Sequence, residues 1–234
     1  MKTPKAQTDN RVPEEPGLYN NPEEVDAYEN EMGSGVVAFI ENNFFKAILK
    51  QFGHLSNIKV LDLGAGPAWI TTKLAQACPS WKITGLDVSQ LMLEKAKARS
   101  SEIEVKIEWV NADVRDTKLD SESYDLIISH FAFSEFPDPE KVVTELTRLL
   151  KLGGFLFIQD LLRPPRWQMP LLKAWRYITN PFGKINKQYI DSLKGAFTEE
   201  ELNKLFSQSE LEFKISTFLK FAGGIGLVSA VKPN

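Results

Sequence analysis

The spacing of apolar positions changes character near residue 58. Before that point it is helical: Val25 and Tyr28 stand three apart within Pro22 to Met32. Phe44, Ile48 and Phe52 then fall at i, i+4 and i+8 beside Phe45 and Leu49, which predicts a core-facing helix. From Ile58 onward, short apolar runs alternate with helical stretches, a pattern that predicts a parallel sheet with right-handed crossovers. The predicted strands are Ile58 to Leu63, Lys82 to Leu86, Glu104 to Val110, Tyr124 to Ser129 and Phe155 to Gln159. Between them fall helices at Ala68 to Ala77, at Gln90 to Arg99 behind a Ser89 cap, and after Asp138 and Pro139, where Val142, Val143, Leu146, Leu149 and Leu150 form a buried stripe ended by Gly153 and Gly154. Thr198 and Glu201 have the spacing of a capping box, and Leu211 to Phe218 and Gly226 to Val231 read as two last strands.

Two stretches break the alternation. Residues 1–17 are polar and carry Pro4, Pro13 and Pro16, so they are expected to be a disordered lead to a single domain over 18–234. Residues 161–195 hold Pro164, Pro165, Pro170 and Pro181 with Trp167, Trp175 and Tyr177 and no clean period, as expected of a lid or substrate-binding insertion.

Composition narrows the function. The 28 basic and 31 acidic residues leave a net charge of −3, which gives no overall field to collect nucleic acid. One cysteine, Cys78, allows neither an internal disulfide nor a cysteine-rich metal site, and it is expected to be a buried spectator. No apolar run approaches the ~20 residues of a membrane span and the N-terminus has no signal-peptide pattern, so a cytoplasmic protein is expected.

The chemistry centres on VLDLGAGPAW, Val60 to Trp69. Gly64 and Gly66, with Ala65 between them, allow a tight turn with no side chain between backbone and ligand, next to the amides of a helix start. A dinucleotide fingerprint wants a third small residue where Trp69 stands, and Asp62 would repel a pyrophosphate. The same acid suits a cationic amino-acid group, which S-adenosylmethionine has. Asp87, ending the second strand, is placed to accept from both ribose hydroxyls. Asp113 is placed to take the adenine amine, while Val88, Met92 and Val114 supply an apolar slot.

With these residues the chain resembles the class I S-adenosylmethionine-dependent methyltransferases, in the branch that acts mostly on small molecules. The resemblance runs through VLDLGAGPAW, ITGLDVSQLMLEKAKA, NADVRD, YDLIISHFAFSEF and LLKLGGFLFIQD. It implies an α/β, Rossmann-like, seven-stranded, mostly parallel sheet of order 3-2-1-4-5-7-6 with helices on both faces. It further implies that Gly64 and Gly66 line the methionine moiety, that Asp87 and Asp113 hold ribose and adenine, and that Ser129 with His130 closes over the cofactor. Residues 18–55, around Tyr19 and Tyr28, resemble the helical cap such enzymes fold over the site.

Methyl transfer needs an aligned nucleophile, excluded water and aromatic faces for a sulfonium. HFAFSEF, His130 to Phe136, leaves the fourth strand where an acceptor would sit, with Phe131 or Phe133 as pocket lining. His130 has the ordinary pKa for general-base work, Glu135 and Asp160 are candidates to orient or deprotonate an acceptor, and His54 sits in a connecting loop. The Asn/Asp-Pro-Pro-aromatic run of amino-methylases is replaced by Ser129, His130, Phe131 and Ala132, and the acid cluster of metal-dependent catechol enzymes is missing. The expectation is therefore a small-molecule acceptor, no metal and no nucleic acid, with S-adenosyl-L-homocysteine as product. Arg163, Arg166 and Arg176 are candidates for an acceptor anion. A quinone-ring or sterol-like C-methyltransferase, a non-catalytic S-adenosylmethionine-binding regulatory protein and a nicotinamide dehydrogenase remain as alternatives.

Overall fold

The computed structural model describes residues 11, 19–32, 35–172, 174, 191–218 and 224–234. Trp175, Arg176, Tyr177, Pro181 and the prolines of the lead lie outside these residues, as does the side chain of Arg166. Two helices, α1 (Pro22–Met32) and α2 (Gly35–Phe52), precede the sheet. The alternating part runs β1 (Lys59–Leu63), α3 (Trp69–Ala77), β2 (Lys82–Asp87), α4 (Gln90–Glu102), β3 (Glu108–Asn111), β4 (Tyr124–His130), a 3-10 turn (Phe133–Glu135), α5 (Pro139–Leu149) and β5 (Leu150–Leu161). The chain ends with α6 (Glu199–Phe206), β6 (Glu212–Phe218) and β7 (Ile225–Val231).

The seven strands form one sheet in the order β3-β2-β1-β4-β5-β7-β6. All neighbouring pairs are parallel except those of β7, which is antiparallel to β5 and β6. The period-2 alternation of each strand divides its side chains between two cores. Val60, Ile83, Leu126, Ile128 and Phe157 pack with Phe44, Ile48 and Phe52 of α2 and with Ile70 and Leu74 of α3. Leu61, Leu63, Leu86, Ile127, Leu156 and Ile158 face α5 and α6 instead. The three α2 residues placed at i, i+4 and i+8 are all at most 2% exposed, so the helical stripe buries as its spacing requires. Cys78 is a buried free thiol.

Three local expectations are corrected. The third strand begins at Glu108 rather than Glu104: Glu104 has φ +56°, and β2 offers partners only from Thr84 to Asp87. Helix α5 stops at Leu149, not at the glycine pair. Leu150 is already extended, and Gly153, with φ +71°, sits in an irregular start to β5 where its amide donates to the Lys232 carbonyl at 2.8 Å. Gly154 is required there because a Cβ would lie 2.8 Å from the Lys151 carbonyl oxygen and 3.1 Å from that of Tyr124. Asp138 does begin α5, but its side chain caps nothing. With φ +50°, it gives its carboxylate to Arg115 at 3.1 Å, and its carbonyl receives the amides of Lys141 and Val142. The capping box at Thr198 and Glu201 and the Ser89 cap form as their spacing predicts.

The insertion leaves and re-enters the fold at one place. Leu162 and Phe197 form a parallel bridge, the Arg163 amide donates to the Phe197 carbonyl at 2.8 Å, and the Arg163 guanidinium pairs with Glu201.

Candidate active site

Parallel strands bring their C-terminal ends to one edge, and the crevice outside that edge is where ligands collect in such sheets. The turn after β1 forms one side of it. Gly64 and Gly66 have φ +72° and +51°, and the amides of Gly64 and Ala65 donate to the Leu86 carbonyl at 2.9 and 3.0 Å. At Gly64 a Cβ would fall 2.5 Å from Ala132 Cβ and 3.0 Å from Phe136 Cζ, so the glycine lets the turn meet the exit of β4. At Gly66 the nearest atom to such a Cβ is Tyr28 Cε1 at 3.9 Å, which leaves the backbone open to a ligand. The third left-handed residue of the turn is Ala68, φ +67°, at the start of α3.

Asp87 closes the turn from β2. One carboxylate oxygen accepts from the Gly66 amide and the other from the Ser89 amide, both at 2.8 Å. Burial pushes its pKa up from the ordinary carboxylate value, and these amides oppose the rise. Asp62 lies on the face of β1 that Val60 turns toward α2 and α3, 3% exposed, where it accepts from the Thr71 hydroxyl at 2.6 Å. Burial raises its pKa to about 7 against that hydrogen bond, and the charge of Asp87 adds to the rise.

Two cavities open on this turn. The larger, about 160 Å³, is lined by Asp87, Val88, Ser89, Met92, Asp113, Val114 and Arg115 and by Phe131, Ala132, Glu135, Phe136 and Pro137. Tyr19, Tyr28, Gly64 and Gly66 complete it. The two tyrosines meet edge to face at 4.9 Å, and the Tyr19 carbonyl accepts from the Ser89 hydroxyl at 2.8 Å, which fastens the N-terminal elements to α4. The smaller cavity, about 20 Å³, lies behind the turn among Glu41, Asp62, Ala65, Trp69 and His130, with Tyr28 and Gly64 shared. Glu41 is paired with Lys73 at 2.6 Å.

Among the described residues, three buried side-chain atoms have no hydrogen-bond partner: Trp69 Nε1, His130 Nε2 and Gln159 Oε1. Such atoms cost free energy when left unpaired. Two of the three residues line the smaller cavity, and Gln159 is the partner of His130 in the β4–β5 register.

The structure brings together most residues singled out from the sequence, with four differences. Ser129 lies outside both cavities: it is 1% exposed, and its hydroxyl bridges β4 to β1 by donating to the Leu63 carbonyl at 2.9 Å. His130 does not keep an ordinary pKa. Burial, aided by the charge of Lys73, pulls it to about 3, and the ring stacks on Phe44 at 5.0 Å and lies 4.3 Å from Phe131. Asp160 is also outside the cavities; it accepts from the Ser134 amide at 2.7 Å, the Ser134 hydroxyl at 3.1 Å and the Leu161 amide at 2.6 Å, and burial raises its pKa to about 6. Of the two candidate phenylalanines, Phe131 lines the cavity, with a strained φ of +53°, while Phe133 is 1% exposed among Phe136, Phe197 and Phe206.

Other contributors escape sequence reasoning. Arg115 grips Asp113 with contacts of 2.6, 2.9 and 3.1 Å and holds its carboxyl below the ordinary value. The spacing of the two residues in NADVRD was the available signal. Trp69, read only as a missing glycine, carries the Arg99 guanidinium on its face at 3.5 Å, while Arg99 Nε donates to the Pro67 carbonyl at 2.9 Å.

Residues 60–154 match the family of methyltransferase domains. A demethylmenaquinone methyltransferase of Staphylococcus aureus (strain JH9) is 25% identical over 203 residues, 82% of this chain and 83% of that protein. Among solved structures, a SAM-dependent methyltransferase assigned to Methanococcus maripaludis superposes with a TM-score of 0.68 at 19% identity, over 95% of this chain and 98% of that one. Phosphoethanolamine N-methyltransferase 2 of Haemonchus contortus, solved with S-adenosyl-L-methionine, superposes with a TM-score of 0.69 at 16% identity, over 92% of this chain and 58% of that one.

Proposed function

We propose that this chain, which is a class I S-adenosylmethionine-dependent methyltransferase by its domain match and strand order, methylates an apolar or amphipathic small molecule seated between Phe131, Glu135 and the N-terminal tyrosines. The observation that carries the reading is one cavity lined both by the acids Asp87 and Asp113 and by the aromatic rings of Tyr19, Tyr28, Phe131 and Phe136. The donor set fits the cofactor. An α-amino acid end needs a carboxylate for its ammonium and a donor for its own carboxylate, and Asp62 and Trp69, whose Nε1 has no hydrogen-bond partner, are both among the residues lining the smaller cavity.

When bound, S-adenosylmethionine supplies a methyl carbon made electrophilic by a sulfonium. The chain's own residues bind, orient and exclude water. Asp87, steadied by the Gly66 and Ser89 amides, would hold the ribose hydroxyls, Asp113 beside Arg115 would hold the adenine amine, and Val88, Met92 and Val114 would flank the ring. Phe131, which lines the cavity, would supply an aromatic ring near the cation. His130, neutral at physiological pH, serves as a hydrogen-bonding wall of the amino-acid pocket, since a base of pKa about 3 is poorly matched to removing a proton near pH 7. Glu135, on the acceptor side, takes the proton or orients the acceptor where one must leave.

A second reading, C-methylation of a quinone ring, is favoured by the Staphylococcus aureus relative. No helix among the described residues is long and apolar enough to cross a membrane. The acidic charge balance supports a small acceptor over nucleic acid. The test is incubation with methyl-labelled S-adenosylmethionine and metabolite extracts, with demethylated quinones in a parallel arm. One labelled small product establishes the class, labelling confined to the quinone arm establishes the second reading, and label found only in protein or nucleic acid overturns both.

A further inference from the structure

Arg11 is distant from the cavity in sequence, yet its side chain is committed to the cavity's outer wall. Nε donates to the Gly195 carbonyl at 2.6 Å, and one terminal nitrogen donates to the carbonyls of Ser134 at 2.6 Å and Phe136 at 3.1 Å. The guanidinium lies over the Phe197 ring, 4.1 Å from its centroid. Ser134 is held from its other side as well, since its amide and hydroxyl donate to Asp160. The 3-10 turn is thus fixed between a cation on its carbonyls and a carboxylate on its donors. Its neighbours Ala132, Glu135, Phe136 and Pro137 line the larger cavity, and Ala132 and Phe136 also press on Gly64.

We propose that Arg11 is a positioning residue for methyl transfer: by clamping the carbonyls of Ser134, Phe136 and Gly195 it holds the cofactor and acceptor wall in place and links it to the end of the insertion. The guanidinium reaches Gly195 through Nε and Ser134 and Phe136 through a terminal nitrogen, two fixed points of a planar fork that the single nitrogen of a lysine ammonium does not reproduce. Burial lowers the Arg11 pKa to about 10, which still leaves the group charged at neutral pH. This explains Asp160 without an acceptor, because its charge complements Arg11 across the turn. The coupling is reciprocal, so a ligand that needs the turn in place also favours the seated arginine.

The inference rests on the methyltransferase reading, and its test separates the two. Hydrogen exchange at residues 133–137 and calorimetric titration with S-adenosylhomocysteine are compared for the full-length protein, Arg11→Gln and Arg11→Lys. In Arg11→Gln, exchange is expected to rise severalfold and the Kd to weaken about tenfold, with lysine intermediate in both. Unchanged exchange overturns the clamp, and raised exchange with unchanged Kd overturns its link to the cofactor. A wild-type protein that does not bind S-adenosylhomocysteine overturns the donor reading, while the exchange data still decide the clamp. A third arm uses wild type alone: trypsin cleavage after Arg11 requires the guanidinium to leave its carbonyls, so S-adenosylhomocysteine should slow that cut. A cut rate indifferent to the ligand overturns the link even where a variant misfolds.

Discussion

Asp62, one residue before the end of β1, and Asp87, at the end of the adjacent parallel β2, have surroundings that assign them different work. Asp87 has two amides holding its oxygens in place, so its loss removes the lock on the glycine turn and, under the proposed function, a ligand contact as well. Asp87→Ala should weaken S-adenosylhomocysteine binding by roughly 1.5–3 kcal/mol, the worth of a hydrogen bond to a charged group, as read by titration calorimetry. Asp62, with a pKa of about 7 against an ordinary 3.8, retains a proton that the unfolded chain gives up between those values. Its contribution to stability is therefore full at acid pH and is lost as pH rises through about 7. A bound ammonium favours the ionised form, so cofactor affinity should climb through that same pH and binding should release a proton. Calorimetry in buffers of differing ionisation enthalpy measures that release; none between pH 6 and 8 would take Asp62 out of the pocket. At the turn itself, Gly64→Ala should cost about 2–4 kcal/mol in denaturant unfolding, from left-handed strain plus overlap with Ala132 and Phe136. Gly66→Ala, with open space beside it, should cost only the strain, about 1–2 kcal/mol.

Elements whose boundaries are set by local chemistry were readable in advance. The capping box opens α6 because Thr198 and Glu201 satisfy each other's amides, and Thr198→Ala should lower stability by about 1 kcal/mol in denaturant unfolding. Equal unfolding midpoints would show the cap to be idle. The end of α5 was misplaced because glycines usually stop helices, whereas Gly153 and Gly154 here serve the first residues of β5 and their contact with Lys232. That contact is made across the sheet, and no local pattern encodes it. The candidate site divides in the same way. Asp87, Asp113 and the glycines follow strand ends and could be located by alternation alone. The His130 ring is packed by Phe44 from α2 as well as by its neighbour Phe131, and the clamp from Arg11 depends on carbonyls over a hundred residues away. Composition near those residues carried no trace of either.

At the scale of the whole molecule, donor binding should appear as linked stability. S-adenosylhomocysteine at a hundred times its Kd adds ~2.7 kcal/mol, which for a chain of this size raises Tm by roughly 5–10 °C, and NAD should add nothing. A shift with NAD and none with the sulfur nucleoside would reverse the assignment. The parallel bridge between Leu162 and Phe197 carries a further consequence. Because the two ends of the insertion are pinned side by side, its length and content can change at a closure cost that grows only logarithmically, about 0.6 kcal/mol for each doubling. The seven-stranded frame and the donor pocket need not register such a change. We propose that this stretch sets acceptor choice, so a chimera that takes the loop from another methyltransferase should keep its affinity for the donor while adopting the specificity of the loop's source, as read by donor titration and by product analysis with both acceptors.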